Sequence, residues 1–393
     1  MRLHPCIVLI CISVLLALPV RPGAALDLVV GEGERFATPS AALEAAVDGD
    51  RILIRRGVYA DSTLFVDRSV VIEGERGAIL DGQGERGLLV IRASDVTVRG
   101  LVFRNVGTSF VDDRAALKVD GAADCLIEDN RFENTFFGVY LARASGCTIQ
   151  NNELRAGAGR ESQAGNGIHL WYTRDTTIRG NRVSGHRDGI YLEFVDDSRV
   201  ERNESTGNLR YGLHFMFSDG CRYAGNRFAH NDAGVAVMYS KHVEMLDNRF
   251  ESNRGSASYG LLLKDISDSR ISGNRFVQNT VGLLAEGSNR MSVERNVFEA
   301  NGWAIKIMAN AEQNVFSGND FIRNTFDVST NSRQSYSTFR GNYWDRYDGY
   351  DLDADGTGDV PFRPVRLFSI LVEQNEPALI LLRSPFVTLL DAA

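Results

Sequence analysis

Asparagines recur along this 393-residue chain at nearly constant intervals. Ten of them are separated in turn by 22, 29, 22, 23, 22, 26, 22, 23 and 23 residues: Asn130, Asn152, Asn181, Asn203, Asn226, Asn248, Asn274, Asn296, Asn319 and Asn342. Each closes a short stretch such as CTIQNN or SRISGN, and an apolar residue usually follows two places later. A period in the low twenties, with strand signals and no helical pattern inside it, is typical of parallel β-solenoids. We therefore predict an all-β, right-handed parallel β-helix with rungs of about 22–23 residues.

The same period predicts which side chains face inward. The asparagines suit the inside of a tight turn, where each amide can bond the backbone and the next asparagine. Glycines from Gly138 to Gly282 open apolar strands such as GVYL and GIYL. Because side chains alternate along a strand, the first and third residues after each glycine should face inward, and the second and fourth outward.

The pattern also divides the chain. Residues 1–25 combine a basic start, an apolar stretch and small residues before Ala25, which predicts a secretory signal cut near Ala25 and an exported, periplasmic protein. The apolar stretch is shorter than the about 20 residues of a membrane-spanning helix. Residues 38–47 predict a short helix that covers the first rung. We expect the capped β-helix over 26–345, and an acidic loop with a C-terminal cap or docking tail over 346–393.

Charge and cysteines set further limits. A net charge of −8 without a basic stripe argues against nucleic-acid binding.

Cys125 and Cys147 each lie five residues before a repeat asparagine, which places them on adjacent rungs with Cα atoms about 4.8 Å apart. They are either stacked buried thiols or a disulfide, which the spacing and an oxidising compartment permit.

The outward positions of the glycine-led strands carry side chains that do not stabilise a solvent-exposed strand. The second positions hold Tyr140, His169, Tyr191, His214, Ala236 and Leu262, and the fourth hold Ala142, Trp171, Glu193, Met216, Met238, Lys264, Glu286 and Met308. Such a row of His, Trp, Tyr and Met indicates a face that is covered or that binds something. Two longer intervals place insertions at 155–165 and 251–259 on one edge beside these rungs, and insertions in solenoids commonly mark a working edge.

Three explanations for this face remain open. The first is copper, because His214 and Met216 lie about 7 Å apart on one strand and Met238 lies about 4.8 Å from Met216 on the next rung. Together with His169 they offer the imidazole and thioether ligands that suit Cu(I). The second is a protein-docking surface formed by Trp171, Tyr191, Glu193, Lys264 and Met308. The third is that the inserted loops fold back and bury the face.

Catalysis is the alternative function. Extracellular β-solenoids often cleave or epimerise acidic polysaccharides, a chemistry that needs clustered carboxylates and a base. Tyr191 and His214 could serve as acid and base, but Glu193 is nearly the only carboxylate that the strand pattern places on this face. A binding protein without turnover is therefore favoured over an extracytoplasmic polysaccharide lyase or epimerase.

Near the C-terminus, the stretch DRYDGYDLDADGTGDVPF places carboxylates at alternate positions around a glycine-led turn. Oxygen ligands in this arrangement suit Ca²⁺, although the glutamate of a full EF-hand is missing. We predict that a structural calcium ion is held by Asp351, Asp353, Asp355, Thr357 and Asp359. The apolar segment from Leu367 to Leu390 predicts a cap, or the end that meets a membrane partner.

Distinctive strings occur along most of the chain, among them GIHLWYTRDTTIRGNRVSGHRDGIYLEF, RYGLHFMFSDGC, AGVAVMYSKHV and NYWDRYDGYDLDADGTGDVPFRPVRLFSILVE. They resemble the NosD family, periplasmic β-helical accessory proteins of nitrous oxide reductase. The resemblance implies a role in maturing the reductase's copper–sulfur centre, together with an ABC transporter (an ATPase and a membrane subunit) and a copper-donating lipoprotein. No fixed ligand motif is carried over, so His214, Met216 and Met238 remain candidates on their own chemistry.

Overall fold

The structure, a computed structural model, describes residues 25–109, 111–157, 159–255, 258–332, 336–382 and 384–392. The predicted secretory signal lies outside these ranges, apart from Ala25. None of the helices within them combines the length and the hydrophobicity that a membrane crossing needs.

Each sequence period forms three short strands, and successive periods stack in parallel register. The first sheet has 14 strands: Asp27–Val30, Arg51–Ile54, Val71–Gly74, Thr97–Arg99, Leu126–Glu128, Thr148–Gln150, Thr177–Arg179, Arg199–Glu201, Arg222–Ala224, Glu244–Leu246, Arg270–Ser272, Ser292–Glu294, Val315–Ser317 and Thr338–Arg340. The second has 13: Gly57–Tyr59, Ala78–Asp81, Val102–Arg104, Arg131–Glu133, Glu153–Arg155, Arg182–Ser184, Glu204–Thr206, Arg227–Ala229, Arg249–Glu251, Arg275–Val277, Val297–Glu299, Asp320–Ile322 and Tyr343–Trp344.

The third sheet contains the longest strands and includes the glycine-led segments. Its 12 strands are Leu64–Val66, Leu89–Ile91, Ala115–Asp120, Phe137–Ala142, Ile168–Arg174, Ile190–Asp196, Tyr211–Met216, Ala233–Met238, Tyr259–Lys264, Val281–Glu286, Trp303–Ile307 and Phe326–Thr330. The predicted all-β parallel solenoid is confirmed.

The repeat asparagines form a buried ladder at the turn between the first and second sheets. Asn226 shows the pattern: its side-chain amide donates to Val200 O at 2.8 Å and to Asn248 Oδ1 at 3.0 Å. Its own Oδ1 accepts the backbone N–H and the side-chain amide of Asn203. Two places later the aromatic rings stack inside the coil, for example Phe250 on Phe276 at 4.6 Å between centroids. Register is thus fixed by amide pairing and by ring stacking together.

A second asparagine ladder closes the turn between the second and third sheets, and the sequence analysis did not predict it. Its members are buried and hydrogen-bonded in the same way: Asn208, Asn231, Asn253, Asn279, Asn301 and Asn324. The signal was present, because each follows a first-ladder asparagine by five residues. His186 occupies the preceding position in this column, and its backbone N–H donates to Asn208 Oδ1 at 3.2 Å.

Helices cover both ends of the coil. The N-terminal helix, Pro39–Ala45, is capped by Thr38, as predicted for 38–47, and it ends two residues earlier. At the other end, the helices Leu367–Gln374 and Pro385–Ala392 flank a 3₁₀ segment, Glu376–Leu381.

The three cysteines in the described part of the chain are buried free thiols: Cys125, Cys147 and Cys221. The disulfide alternative is therefore not formed in this structure.

Candidate functional site

The outward surface of the third sheet, called the outer face from here on, packs separately from the coil's core. Three columns of side chains run along it. The first column precedes the glycines: Phe137, Asn166, Asp188, Tyr211, Ala233, Tyr259, Val281, Trp303 and Phe326. The middle column is Tyr140, His169, Tyr191, His214, Ala236, Leu262, Leu284, Lys306 and Ser329. The last column is Ala142, Trp171, Glu193, Met216, Met238, Lys264 and Glu286, with Met308 in line beyond it.

The middle column points outward, as predicted, yet it is buried. His214 is 2% exposed and Tyr191 is 9% exposed, so Tyr191 is not a free docking residue in this structure. Its rings alternate as Tyr140, His169, Tyr191 and His214, with centroids 4.6, 4.7 and 5.0 Å apart. Rings of the first column pack beside them, including Tyr211 at 4.7 Å from His214. Neighbouring side chains, rather than solvent, cover these rings.

Two of the loops at the edge of this face contain the predicted insertions. Both insertions join a strand of the second sheet to a strand of the third, so they project from the same edge. The first is tied beside the first column, because Arg187 N–H donates to Gly165 O at 2.9 Å. This bond joins the first insertion to the segment that carries Asp188.

Met216 and Met238 lie together on the outer face. They are Cα partners on neighbouring strands, and both side chains are half-buried. The Tyr191 hydroxyl contacts Met216 Sδ at 3.5 Å, and the Tyr191 ring packs edge-to-face against His214. His214, Met216 and Met238 therefore form one neighbourhood of imidazole and thioether groups.

The other candidates lie farther along. His169 is two rungs from His214, with the Tyr191 ring between them, so one ion cannot take both rings as they stand. Lys264 follows Met238 in the last column and pairs with Glu286 at 3.7 Å. Trp171 and Glu193 precede Met216 in that column and are half-buried, as is Met308 beyond Glu286.

The two buried histidines near the first insertion are neutral at physiological pH. Burial lowers the pKa of His169 to about 3, and the positive charge of Arg187 adds to this effect while Asp188 opposes it. Burial alone lowers the pKa of His186 to about 3. The Asn166 amide donates to His169 Nδ1 at 3.2 Å, which makes Nδ1 the acceptor and leaves the proton on Nε2.

Asp188 is the residue that the sequence analysis missed. It is fully buried, and its Oδ2 lies 3.5 Å from His214 Nδ1 and 3.8 Å from an Arg187 guanidinium nitrogen. The expectation that Glu193 was nearly alone on this face was wrong, because only positions after each glycine were considered. The signal was an aspartate in a column that most rungs fill with apolar side chains.

An exposed row of aromatic rings borders the last column and was also missed. Tyr172, Phe194, Phe217 and Tyr239 have φ values of 50°, 54°, 51° and 55°, a left-handed conformation that is unusual for bulky residues. Their rings stack at 4.6, 5.2 and 5.0 Å. Tyr172 is 51% exposed, and Phe217 and Tyr239 are each 42% exposed. The same conformation recurs at other turns of the coil, for example at Arg143 and Asp265, so the unusual feature is the run of exposed apolar rings, which is typical of interaction surfaces.

The C-terminal tail lies on the far end of the outer face. Phe368 packs against Phe326, and Glu373 accepts contacts from Lys306 at 2.8 Å and Ser329 at 3.3 Å. The opposite side of the tail exposes Leu367, Leu371, Ile380, Leu381 and Phe386. The segment therefore caps the coil and still presents an apolar surface.

The acidic loop brings part of its predicted ligand set together. Carboxylate oxygens of Asp351, Asp353 and Asp355 lie within 4.8 Å of one another, and all three residues are exposed. Asp359 lies outside this group and accepts the backbone N–H of Leu352 at 2.6 Å. Thr357 donates its backbone N–H to Asp355 Oδ1 at 2.7 Å.

The fold and the outer face together define a β-solenoid binding protein, in which one strip of stacked side chains forms the candidate site. The family model described as periplasmic copper-binding protein (NosD) matches residues 43–162 and 157–349. A probable ABC transporter binding protein NosD of Pseudomonas aeruginosa is 34% identical over 391 residues, covering 92% of this chain and 88% of that protein. Its counterpart in Stutzerimonas stutzeri is 30% identical over 342 residues, covering 83% and 78%. The chain belongs to the NosD family.

Solved structures share the architecture at much lower identity. PfbA, a surface adhesin of Streptococcus pneumoniae, has a TM-score of 0.62 at 11% identity, covering 75% of this chain and 88% of its own. The A-module of the mannuronan C-5 epimerase AlgE4 of Azotobacter vinelandii has a TM-score of 0.52 at 16% identity, covering 78% and 91%. An adhesin and an epimerase thus share one coil, and the likeness is one of fold alone.

Proposed function

We propose that this protein is a periplasmic accessory factor for nitrous oxide reductase, which carries copper for the reductase's copper–sulfur centre on its outer face. Membership of a family described as periplasmic copper-binding proteins supports the cargo. The observation that carries the proposal is the pairing of Met216 with Met238 on adjacent rungs, beside His214. Cu(I) is held by such thioether and imidazole groups. The neighbouring carboxylates, Glu193 beside Met216 and Asp188 beside His214, are not part of the proposed ligand set.

The residues present fit a transient copper site. Met216 and Met238 are half-buried and therefore reachable from solvent, whereas His214 on the Met216 strand is buried. Thioethers bind Cu(I) without losing a proton, so the ion can exchange between a donor and an acceptor at constant pH. His169 is a candidate for a second position along the same column.

An anaerobic Cu(I) titration against a chromophoric chelator tests this site. Met216→Leu and Met238→Leu remove one sulfur each at nearly constant volume, and each should weaken binding about tenfold, equivalent to ~1.4 kcal/mol. Met308→Leu is the matched control, because it alters a half-buried methionine of the same column that is not adjacent to Met238. Equal competition by wild type and the double variant would contradict the proposal.

We further propose that the outer face and the tail dock on partner proteins. A relative is named an ABC transporter binding protein, and the exposed apolar side of the tail, with Leu371 and Ile380, suits the membrane subunit of such a transporter, which works with its ATPase. The aromatic row beside Trp171 and Met216 suits the reductase or the copper-donating lipoprotein. Exposed Tyr, Trp, Phe and Met are the residues that protein interfaces concentrate.

A polysaccharide lyase or epimerase is less well supported. Asp188, His214 and Tyr191 resemble acid–base machinery, but His214 and Tyr191 are 2% and 9% exposed, so a sugar chain cannot reach them without rearrangement. Asp188 is itself fully buried. The family and a relative from Pseudomonas aeruginosa are described as binding proteins.

Calcium at the acidic loop is a separate proposal. Three exposed carboxylates within 4.8 Å repel one another unless a cation lies between them, and the loop follows the final strand, Tyr343–Trp344. An ion bound by Asp351, Asp353 and Asp355 would hold the closing segment in place. Asp359 and Thr357 would then support the turn rather than bind the ion.

A further inference from the structure

Buried polar atoms without a hydrogen-bond partner concentrate at one place on the outer face. Within the described part of the chain, such atoms include Asn166 Oδ1, His169 Nε2, Arg187 Nε, Asp188 Oδ2 and both ring nitrogens of His214. Most buried polar groups in native proteins are paired, so a cluster of unpaired ones needs a physical explanation. A bound species that takes up several of these atoms is such an explanation.

Asp188 is the charged group at the centre of this cluster. Its Oδ1 accepts the backbone N–H of Tyr211 at 3.3 Å. Its Oδ2 faces His214 Nδ1 at 3.5 Å and the Arg187 guanidinium at 3.8 Å. The carboxylate thus lies within reach of His214 Nδ1, and neither of these two atoms has another hydrogen-bond partner among the described residues.

The position itself argues for a specific role. The first column mostly carries apolar side chains, among them the rings of Phe137, Tyr211 and Trp303, and Asn166 and Asp188 are its polar members. A fully buried carboxylate at this point carries a desolvation penalty that packing alone does not require. The sequence therefore places a carboxylate where most rungs have an apolar side chain.

We propose that Asp188 is the positioning residue of the copper-binding histidine, and this inference rests on the copper site proposed above. Its carboxylate holds the proton on Nδ1 of His214 and leaves the Nε2 lone pair free as the metal ligand. Metal-binding histidines commonly donate their other ring N–H to a carboxylate, which fixes the tautomer and raises the basicity of the ligand. Tyr191 packs edge-to-face against the His214 ring at 5.0 Å and Tyr211 packs at a tilt against it at 4.7 Å, and these contacts restrict the orientation of the ring.

The tautomer is measurable without copper. Long-range ¹⁵N–¹H spectra of the metal-free protein, labelled in histidine alone, distinguish Nδ1–H from Nε2–H rings, and His214→Gln identifies the resonance. We expect Nδ1–H at His214 and Nε2–H at His169, where the Asn166 amide donates to Nδ1. Nε2–H at His214 in the metal-free protein would overturn the inference.

Asp188→Asn supplies the second arm. The amide can donate to Nδ1 and so drives the proton to Nε2, the opposite tautomer, at nearly unchanged volume. Cu(I) affinity should fall by about 10–100-fold, with the His214 ring signals shifted to the Nε2–H pattern and the melting temperature close to that of wild type. Asp219→Asn, a partly exposed aspartate on an adjacent turn, is the control and should leave both readouts unchanged.

The outcomes separate this inference from the proposed function. If His214→Gln weakens copper binding but Asp188→Asn does not, the copper site stands and the positioning role is wrong. If wild type and the Met216/Met238 double variant bind copper equally, both are wrong. If Asp188→Asn proves unstable, the tautomer of the wild-type ring still decides the question.

Discussion

Replacing one asparagine of the first ladder should destabilise the coil more than a substitution of a surface residue does. Asn226 is 1% exposed and makes four side-chain hydrogen bonds. It donates to Val200 O and Asn248 Oδ1, and it accepts the backbone and side-chain N–H groups of Asn203. Asn226→Ala removes all four bonds while leaving the backbone path unchanged.

The magnitude follows from the groups that lose their partners. Asn248 Oδ1 keeps the Asn226 backbone N–H, and Val200 O keeps its place in the parallel strand ladder, so two groups remain unpaired: the backbone N–H of Asn203 and one N–H of its side-chain amide. At about 1–3 kcal/mol for each buried unsatisfied group, the expected loss is roughly 2–6 kcal/mol. A water molecule that enters the vacated volume would move the result toward the lower end of that range.

Denaturant unfolding followed by circular dichroism measures the global effect, and hydrogen exchange at Asn203 N–H reports the local one. Stacked repeats can lose cooperativity, so the local readout is needed alongside the global one. Arg222→Ala is the matched control, because its ion pair with Glu244 spans 4.0 Å at the surface and should contribute at most about 1 kcal/mol. A loss no larger than the control's would refute the stabilising role of the ladder.

Three further predictions follow. When the pH is lowered from 8 to 5, the unfolded chain protonates its histidines at a pKa of about 6.5, while folded His186 stays neutral. The free energy of unfolding therefore decreases as the pH falls through this window. The free energy of unfolding, measured by denaturant titration at pH 8 and pH 5, should therefore fall by about 2 kcal/mol less in His186→Asn than in wild type. An equal fall in both proteins would contradict the burial argument. Phe217→Ser should weaken retention of the partner proteins at least tenfold in a pull-down, with an unchanged melting temperature. Val111→Ser, at an exposed apolar residue outside the row, should not weaken it. Equal retention of both variants would show that the aromatic row is not part of the interface. EDTA should lower the melting temperature of wild type but not of Asp351→Asn/Asp353→Asn, and an unchanged wild-type value would argue against calcium.

Much of the fold was predictable because it depends on periodicity. The ladder at Asn226, the ring stack at Phe250 and the cap at Pro39–Ala45 each follow from a spacing or a local propensity. The second ladder was equally readable, since Asn231 lies five residues after Asn226. The second series is shorter than the first, and His186 rather than asparagine occupies its preceding position.

The site was less predictable, for two physical reasons. The left-handed backbone at Phe217 has no propensity signal, because aromatic residues rarely adopt it and tertiary contacts impose it. The Asp188–His214 contact joins different columns on different rungs, and strand parity gives the direction of a side chain but not which neighbour it reaches. Burial of an outward column also depends on side chains packed beside it, as Tyr211 packs beside His214.

A solenoid can acquire a site without changing its core, because the inward and outward columns draw on different residues of the same strand. On the rung of His214, the inward neighbours Leu213 and Phe215 are fully buried in the continuous core, and they match the Val235 and Val237 of the next rung. The outward column changes over the same step from His214 to Ala236, with no disturbance of the register. Substitutions on one face can thus change what that surface contacts while the ladders and the core preserve the coil.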